Sequence, residues 1–104
     1  MAIVHRRVFY AKVGKSDQVA ELLKEANDAM SRFGADTKGR VLTDYLSGRT
    51  DRVVVEWEVD SLGELESGME GAMTSPEGQA WFNDFFPKLT DLIHYADVEN
   101  WTIK

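Results

Sequence analysis

Arg52-Val53-Val54-Val55-Glu56-Trp57-Glu58-Val59 is the most apolar stretch of the chain, and its reading decides the fold. β-Branched and aromatic residues dominate it, so it reads as a strand. Alternation places Val53, Val55, Trp57 and Val59 on one side and Val54, Glu56 and Glu58 on the other. A run this apolar belongs in the middle of a sheet. Upstream, Arg40 to Ser47 reads as its hairpin partner, joined through the polar loop Gly48-Arg49-Thr50-Asp51.

A third strand is predicted over Ile3 to Val13 and ends at Gly14. His5, Arg7, Phe9, Ala11 and Val13 share one face; Val4, Arg6, Val8, Tyr10 and Lys12 share the other. Lys15 to Phe33 carries the stripe Val19, Leu22, Leu23, Ala26, Met30 and Phe33, which predicts an amphipathic helix stopped by Gly34. Ala35 to Gly39 is a loop.

Downstream, Ser61 to Met73 is a helix with Leu62, Leu65, Met69, Ala72 and Met73 on one side. Gly63, Gly68 and Gly71 each weaken it by up to ~1 kcal/mol relative to Ala. Ser75-Pro76 supplies an N-cap and first helical residue for a segment bearing Trp81, Phe82, Phe85 and Phe86. Pro87 is expected to break or kink that helix. Leu89, Leu92 and Ile93 continue its apolar side, and His94 to Lys104 is a final strand.

Strand, helix, strand, strand, helical segment, strand predicts an α+β domain over residues 1–104: a ferredoxin-like βαββαβ, with a four-stranded antiparallel sheet and helices on one face. The other face then carries Val4, Val8, Tyr10 and Val54, an apolar surface that calls for a cover. A homodimer pairing sheet on sheet is expected, with Arg6 answered by Glu56 or Glu58.

Composition narrows the function. The 104 residues carry a net charge of −6, which argues against nucleic acid as a partner. The absence of Cys removes thiolate catalysis, thiolate zinc sites and iron–sulfur clusters. No apolar run approaches the ~20 residues needed to span a bilayer, and the first residues lack a secretory pattern. A cytoplasmic protein without membrane attachment is expected.

Three motifs carry a family resemblance: Val13-Gly14-Lys15 after a strand, Trp57-Glu58-Val59-Asp60-Ser61-Leu62 at a strand-to-helix junction, and Ser75-Pro76-Glu77 opening an aromatic helix. Together they resemble the dimeric α/β-barrel superfamily, with the NIPSNAP family closest and the antibiotic-biosynthesis-monooxygenase group similar in layout. The resemblance implies a ligand cavity between the sheet and the second helical segment. Arg7 and Trp57 would line it from the strands, and Met69, Met73, Trp81 and Phe85 would close it from the helices. Haem-degrading members use a first-strand Asn, a third-strand Trp and a His on the next helix. Here Trp57 matches, but the first strand carries Arg7 and residues 61–73 contain no His, so haem chemistry is not implied.

Of the two histidines, His94 marks a strand boundary, whereas His5 shares a face with Arg7 and is a candidate base if a ligand reaches it. Arg7 keeps its charge and needs acceptors, either a structural partner or a ligand oxygen. Trp57, Trp81 and the phenylalanines suit a core as well as an aromatic-lined pocket. Glu56 and Glu58 more often answer arginines than act as an acid–base pair, and no metal set is evident. The leading expectation is a NIPSNAP-like barrel protein, without cofactor or metal, that binds a small, largely apolar ligand anchored at Arg7. The alternatives are a cofactor-independent monooxygenase of a polycyclic phenol or quinone-type substrate, and a purely structural or interaction module.

Overall fold

The run from Arg52 to Val59, rich in Val, becomes an interior strand in the computed structural model, which describes residues 2–35, 39–48 and 51–104. The elements are β1 (Ile3–Ala11), α1 (Ser16–Arg32), β2 (Arg40–Thr43), β3 (Arg52–Val59), α2 (Leu62–Thr74), α3 (Pro76–Leu92) and β4 (Ile93–Thr102). They form a four-stranded sheet in the order β2-β3-β1-β4, and each adjacent pair is antiparallel. This is the ferredoxin-like α+β arrangement expected from the element order. Within the expected loops, Asp36-Thr37-Lys38 and Arg49-Thr50 lie outside the described residues.

The register sorts the side chains as alternation requires. His5 pairs with Trp57 and Asn100, and Arg7 with Val55 and Val98. Val53, Val55, Trp57 and Val59 are buried and join Val19, Leu23 and Met30 of α1, Leu65 and Ala72 of α2, and Phe82, Phe85 and Leu89 of α3 in one core. Burying each Val, Leu, Met or Phe among them contributes on the order of 1.5–3 kcal/mol. Ser61 and Ser75 cap α2 and α3, accepting from the N–H groups of Glu64 at 3.2 Å and Gly78 at 3.1 Å.

Four expectations need correction. First, α3 runs through Pro87 without interruption. The missing N–H deprives the carbonyl of Asn83, which is exposed to water, while buried Phe82, Phe85 and Leu89 hold both sides of the helix on the core. Second, β2 stops at Thr43 rather than Ser47. Asp44 accepts from Arg52 Nε at 2.7 Å and Nη2 at 3.1 Å, and from Ser47 Oγ at 2.9 Å, so the chain turns there. Leu46 adopts a positive φ of 53° in this turn. Third, β1 ends at Ala11: the Lys12 N–H turns to the Leu92 carbonyl at 2.9 Å, and Val13 is exposed. Gly14 at φ 78° completes that turn, a conformation glycine adopts without strain.

The fourth concerns the open face of the sheet, which is less apolar than expected. Arg6 lies between Glu56 (Nε to Oε2, 3.3 Å) and Glu99 (Nη1 to Oε1, 3.7 Å). Its buried Nε makes no hydrogen bond at that approach. Arg40 Nε donates to Glu56 Oε1 at 2.6 Å, so Glu56 serves two arginines, whereas Glu58 is exposed. Tyr10 stacks on Tyr95 with centroids 4.4 Å apart and donates to Asp97 Oδ2 at 3.1 Å. Val8 is buried among these neighbours; Leu42, Tyr95 and Trp101 remain exposed.

Candidate functional site

The candidate site lies on the covered side of the sheet. Opposite Trp57, across β1, stands His5, only 7 % exposed. The two rings lie 5.8 Å apart, tilted by 36°. His5 Nδ1 is 2.7 Å from Asn100 Oδ1 on β4, and Arg7 Nε donates to His5 Nε2 at 3.2 Å. The partners fix the tautomer. A guanidinium N–H only donates, so Nε2 accepts; an amide oxygen only accepts, so Nδ1 carries the proton. Both ring nitrogens of His5 are thus engaged, Nδ1 with Asn100 and Nε2 with Arg7.

Beyond His5, the Arg7 guanidinium forms no ion pair among the described residues, unlike Arg6, Arg40 and Arg52. It borders two spaces. One is an inner chamber of about 110 Å³ between sheet and helices, walled by Phe9, Val55, Trp57, Phe82, Phe85 and Leu89 among others. The other is an outer cleft of about 650 Å³ against α2, which also meets His5, Leu62, Leu65, Glu66 and Glu70. Arg7, Met69, Met73 and Phe86 line both. Met side chains are long and unbranched, so this shared wall can change shape at little cost.

Sequence reasoning named seven candidates. Six of them, Arg7, Trp57, Met69, Met73 and Phe85 at the chamber and His5 at the cleft, fall in this one region. Trp81 does not. It lies on the outer side of α3 beside Glu25, Asp28 and Arg32, stacked on Phe85 with centroids 5.3 Å apart. Helical spacing puts Trp81 one turn from Phe85 but rotates it towards α1 and solvent. Arg7 is more exposed than a core-facing strand position suggests, because α2 and α3 leave the cleft open above it.

Three contributors were missed. Asn100 is an unremarkable polar residue until the β1–β4 register sets it opposite His5. Phe86 reads as one more core aromatic, yet it is exposed and lies on the wall between the two spaces. Gly39 is a loop glycine whose importance is steric. A Cβ there would stand 2.6 Å from Trp57 Nε1 and 2.9 Å from Asn27 Oδ1. Its carbonyl accepts from Asn27 Nδ2 at 3.1 Å, which ties the loop to α1 over the indole. No group of acidic or histidine side chains suited to a metal occurs among the described residues.

Several solved structures have the same fold. A NIPSNAP domain protein from Burkholderia xenovorans superposes with a TM-score of 0.76 at 17 % identity, covering 98 % of this chain and 94 % of that one. A NIPSNAP family protein from Agrobacterium tumefaciens gives 0.75 at 19 % identity, covering 100 % and 94 %. A candidate antibiotic biosynthesis monooxygenase from Bacteroides thetaiotaomicron gives 0.68 at 12 % identity, covering 98 % and 89 %. No family model and no curated protein matches the sequence. The expected resemblance is therefore met in the fold, where NIPSNAP structures and a monooxygenase-like structure are all similar to this chain.

Proposed function

Starting from a fold shared with NIPSNAP-family structures, we propose that this chain is a binding protein for a small, largely apolar molecule held between its sheet and its helices, with Arg7 at the polar end. One observation carries the reading: Arg7, Met69, Met73 and Phe86 belong to the inner chamber and the outer cleft alike, so an apolar space in the core has a door. An apolar body in the chamber gains from leaving water, and the guanidinium satisfies whatever acceptor the molecule carries. Native mass spectrometry of the full chain, incubated with a panel of small aromatic and aliphatic compounds, tests this. One adduct per chain is expected for some of them, and Met73→Trp, which fills the door, should abolish it. No adducts at all, or adducts indifferent to Met73→Trp, would refute the reading.

A cofactor-independent monooxygenase acting on a polycyclic phenol or quinone-type substrate is the second reading, supported by the similarity to the Bacteroides structure. Arg7 would stabilise a substrate anion. His5 fits the role of base poorly, because both of its nitrogens already have partners. Oxygen consumption on addition of 1-naphthol would favour the enzyme, and its absence the binding protein.

We also infer a cytoplasmic homodimer joined through the open face of the sheet, where Leu42, Tyr95 and Trp101 are exposed. Tyr95→Ser with Trp101→Ser should leave the fold intact and give a monomer by sedimentation. A wild-type chain that sediments as a monomer at micromolar concentration would remove the dimer. A dimer with neither ligand nor oxygen consumption would favour the structural or interaction module.

A further inference from the structure

Asn100, His5 and Arg7 form a chain of hydrogen bonds that starts on the edge strand and ends at the door of the chamber. Each link sets the next. The Asn100 oxygen requires the proton on His5 Nδ1, which leaves Nε2 as an acceptor, and Nε2 takes the Nε–H of Arg7. With Nε occupied, the outer edge of the guanidinium, formed by the two terminal nitrogens, is the part left without a protein partner among the described residues. That edge is a planar two-pronged donor with no acceptor capacity. The other arginines of the sheet are not comparable. Arg6 and Arg40 share Glu56, and Arg52 is held by Asp44.

Resting on the binding reading above, we propose that the ligand carries a carboxylate, that Arg7 receives it, and that His5 and Asn100 are positioning residues for Arg7. The guanidinium favours an anion over a neutral acceptor, because a charge-assisted, two-pronged pair with a carboxylate is stronger than a neutral hydrogen bond. Glu66 and Glu70 line the same outer cleft without pairing with Arg7, so within it the guanidinium is the group that attracts a carboxylate. A buried histidine with both nitrogens engaged has no evident use in packing alone, since an apolar residue would fill its place without a desolvation cost.

Matched probes test the proposal on the full-length protein: 2-naphthoate and its neutral isostere 2-naphthamide. The Trp57 indole N–H signal serves as the binding readout, identified with Trp57→Phe. Binding of 2-naphthoate about tenfold or more tighter than the amide is expected, as one charge-assisted hydrogen-bonding pair provides. Arg7→Gln should erase the difference between the two probes, the carboxylate losing far more affinity than the amide. Asn100→Leu should reduce the preference several-fold, and the imidazole nitrogen shifts of His5 should lose the signature of the Nδ1–H tautomer. Equal binding of the two probes, with Trp57 shifted by both, would overturn the carboxylate while leaving the binding protein standing. No shift with either probe would overturn both. A preference that survives Asn100→Leu with the His5 tautomer lost would overturn the positioning roles.

Discussion

Trp57 lines the chamber and packs into the core at once, and truncating it measures that packing. The indole is 8 % exposed, lies 5.8 Å from His5 and is approached so closely by Gly39 that no Cβ fits between them. Trp57→Ala removes the largest single side chain of the β3 wall, and buried Trp or Phe truncations cost about 3–5 kcal/mol. Met69 and Met73 border the space and can move into it, which places the expected value in the lower half of that range. A chain this small is stable by roughly 5–15 kcal/mol, so the loss is a large fraction of the total. Equilibrium urea unfolding is the assay, with the slope unchanged and the midpoint lowered. Thermal unfolding should shift down by at least about 12 °C. A cost below about 1 kcal/mol would refute the reasoning, since it would mean that the indole is not packed as described.

Two further outcomes follow from the same geometry. Gly78→Ala should cost about 1–3 kcal/mol by urea unfolding, because its Cβ would collide with the Ala72 carbonyl oxygen and stand 2.7 Å from the Ser75 hydroxyl at the α2–α3 corner. Asp44 has its carboxyl held below the usual carboxylate range, first by the Arg52 hydrogen bonds and then by Ser47. Its folded-state value lies below the unfolded one, so its contribution is complete above the ordinary Asp value near ~3.9 and is lost as pH falls through the folded value. Asp44→Asn should therefore be less stable at neutral pH and lose less between about pH 5 and about pH 2; parallel acid limbs would contradict this.

The sheet was legible because alternation is a strict geometric rule. Val53, Val55, Trp57 and Val59 point inward for the same reason that His5, Arg7 and Phe9 share a face. Helix α1 was legible from one uninterrupted apolar stripe. What escaped depends on tertiary context. Pro87 breaks an isolated helix, but here the core holds both sides of it. The end of β2 is set by Asp44 reaching Arg52, eight residues away. Trp81 and Phe85 share helical spacing, and only the placement of α3 beside α1 decides which one meets the chamber. The role of Asn100 needs the β1–β4 register, which no local pattern encodes. The open face looked apolar when its valines and Tyr10 were read alone; Glu99, Asp97 and Arg40 arrive there from other strands.

Whether an apolar space with a door exists under the sheet can be observed directly in a crystal of the protein pressurised with xenon, which enters dry apolar cavities. A bound xenon atom among Trp57, Phe85 and Met69 is the expected result. Side chains closed over that position, with no xenon peak there, would contradict the account.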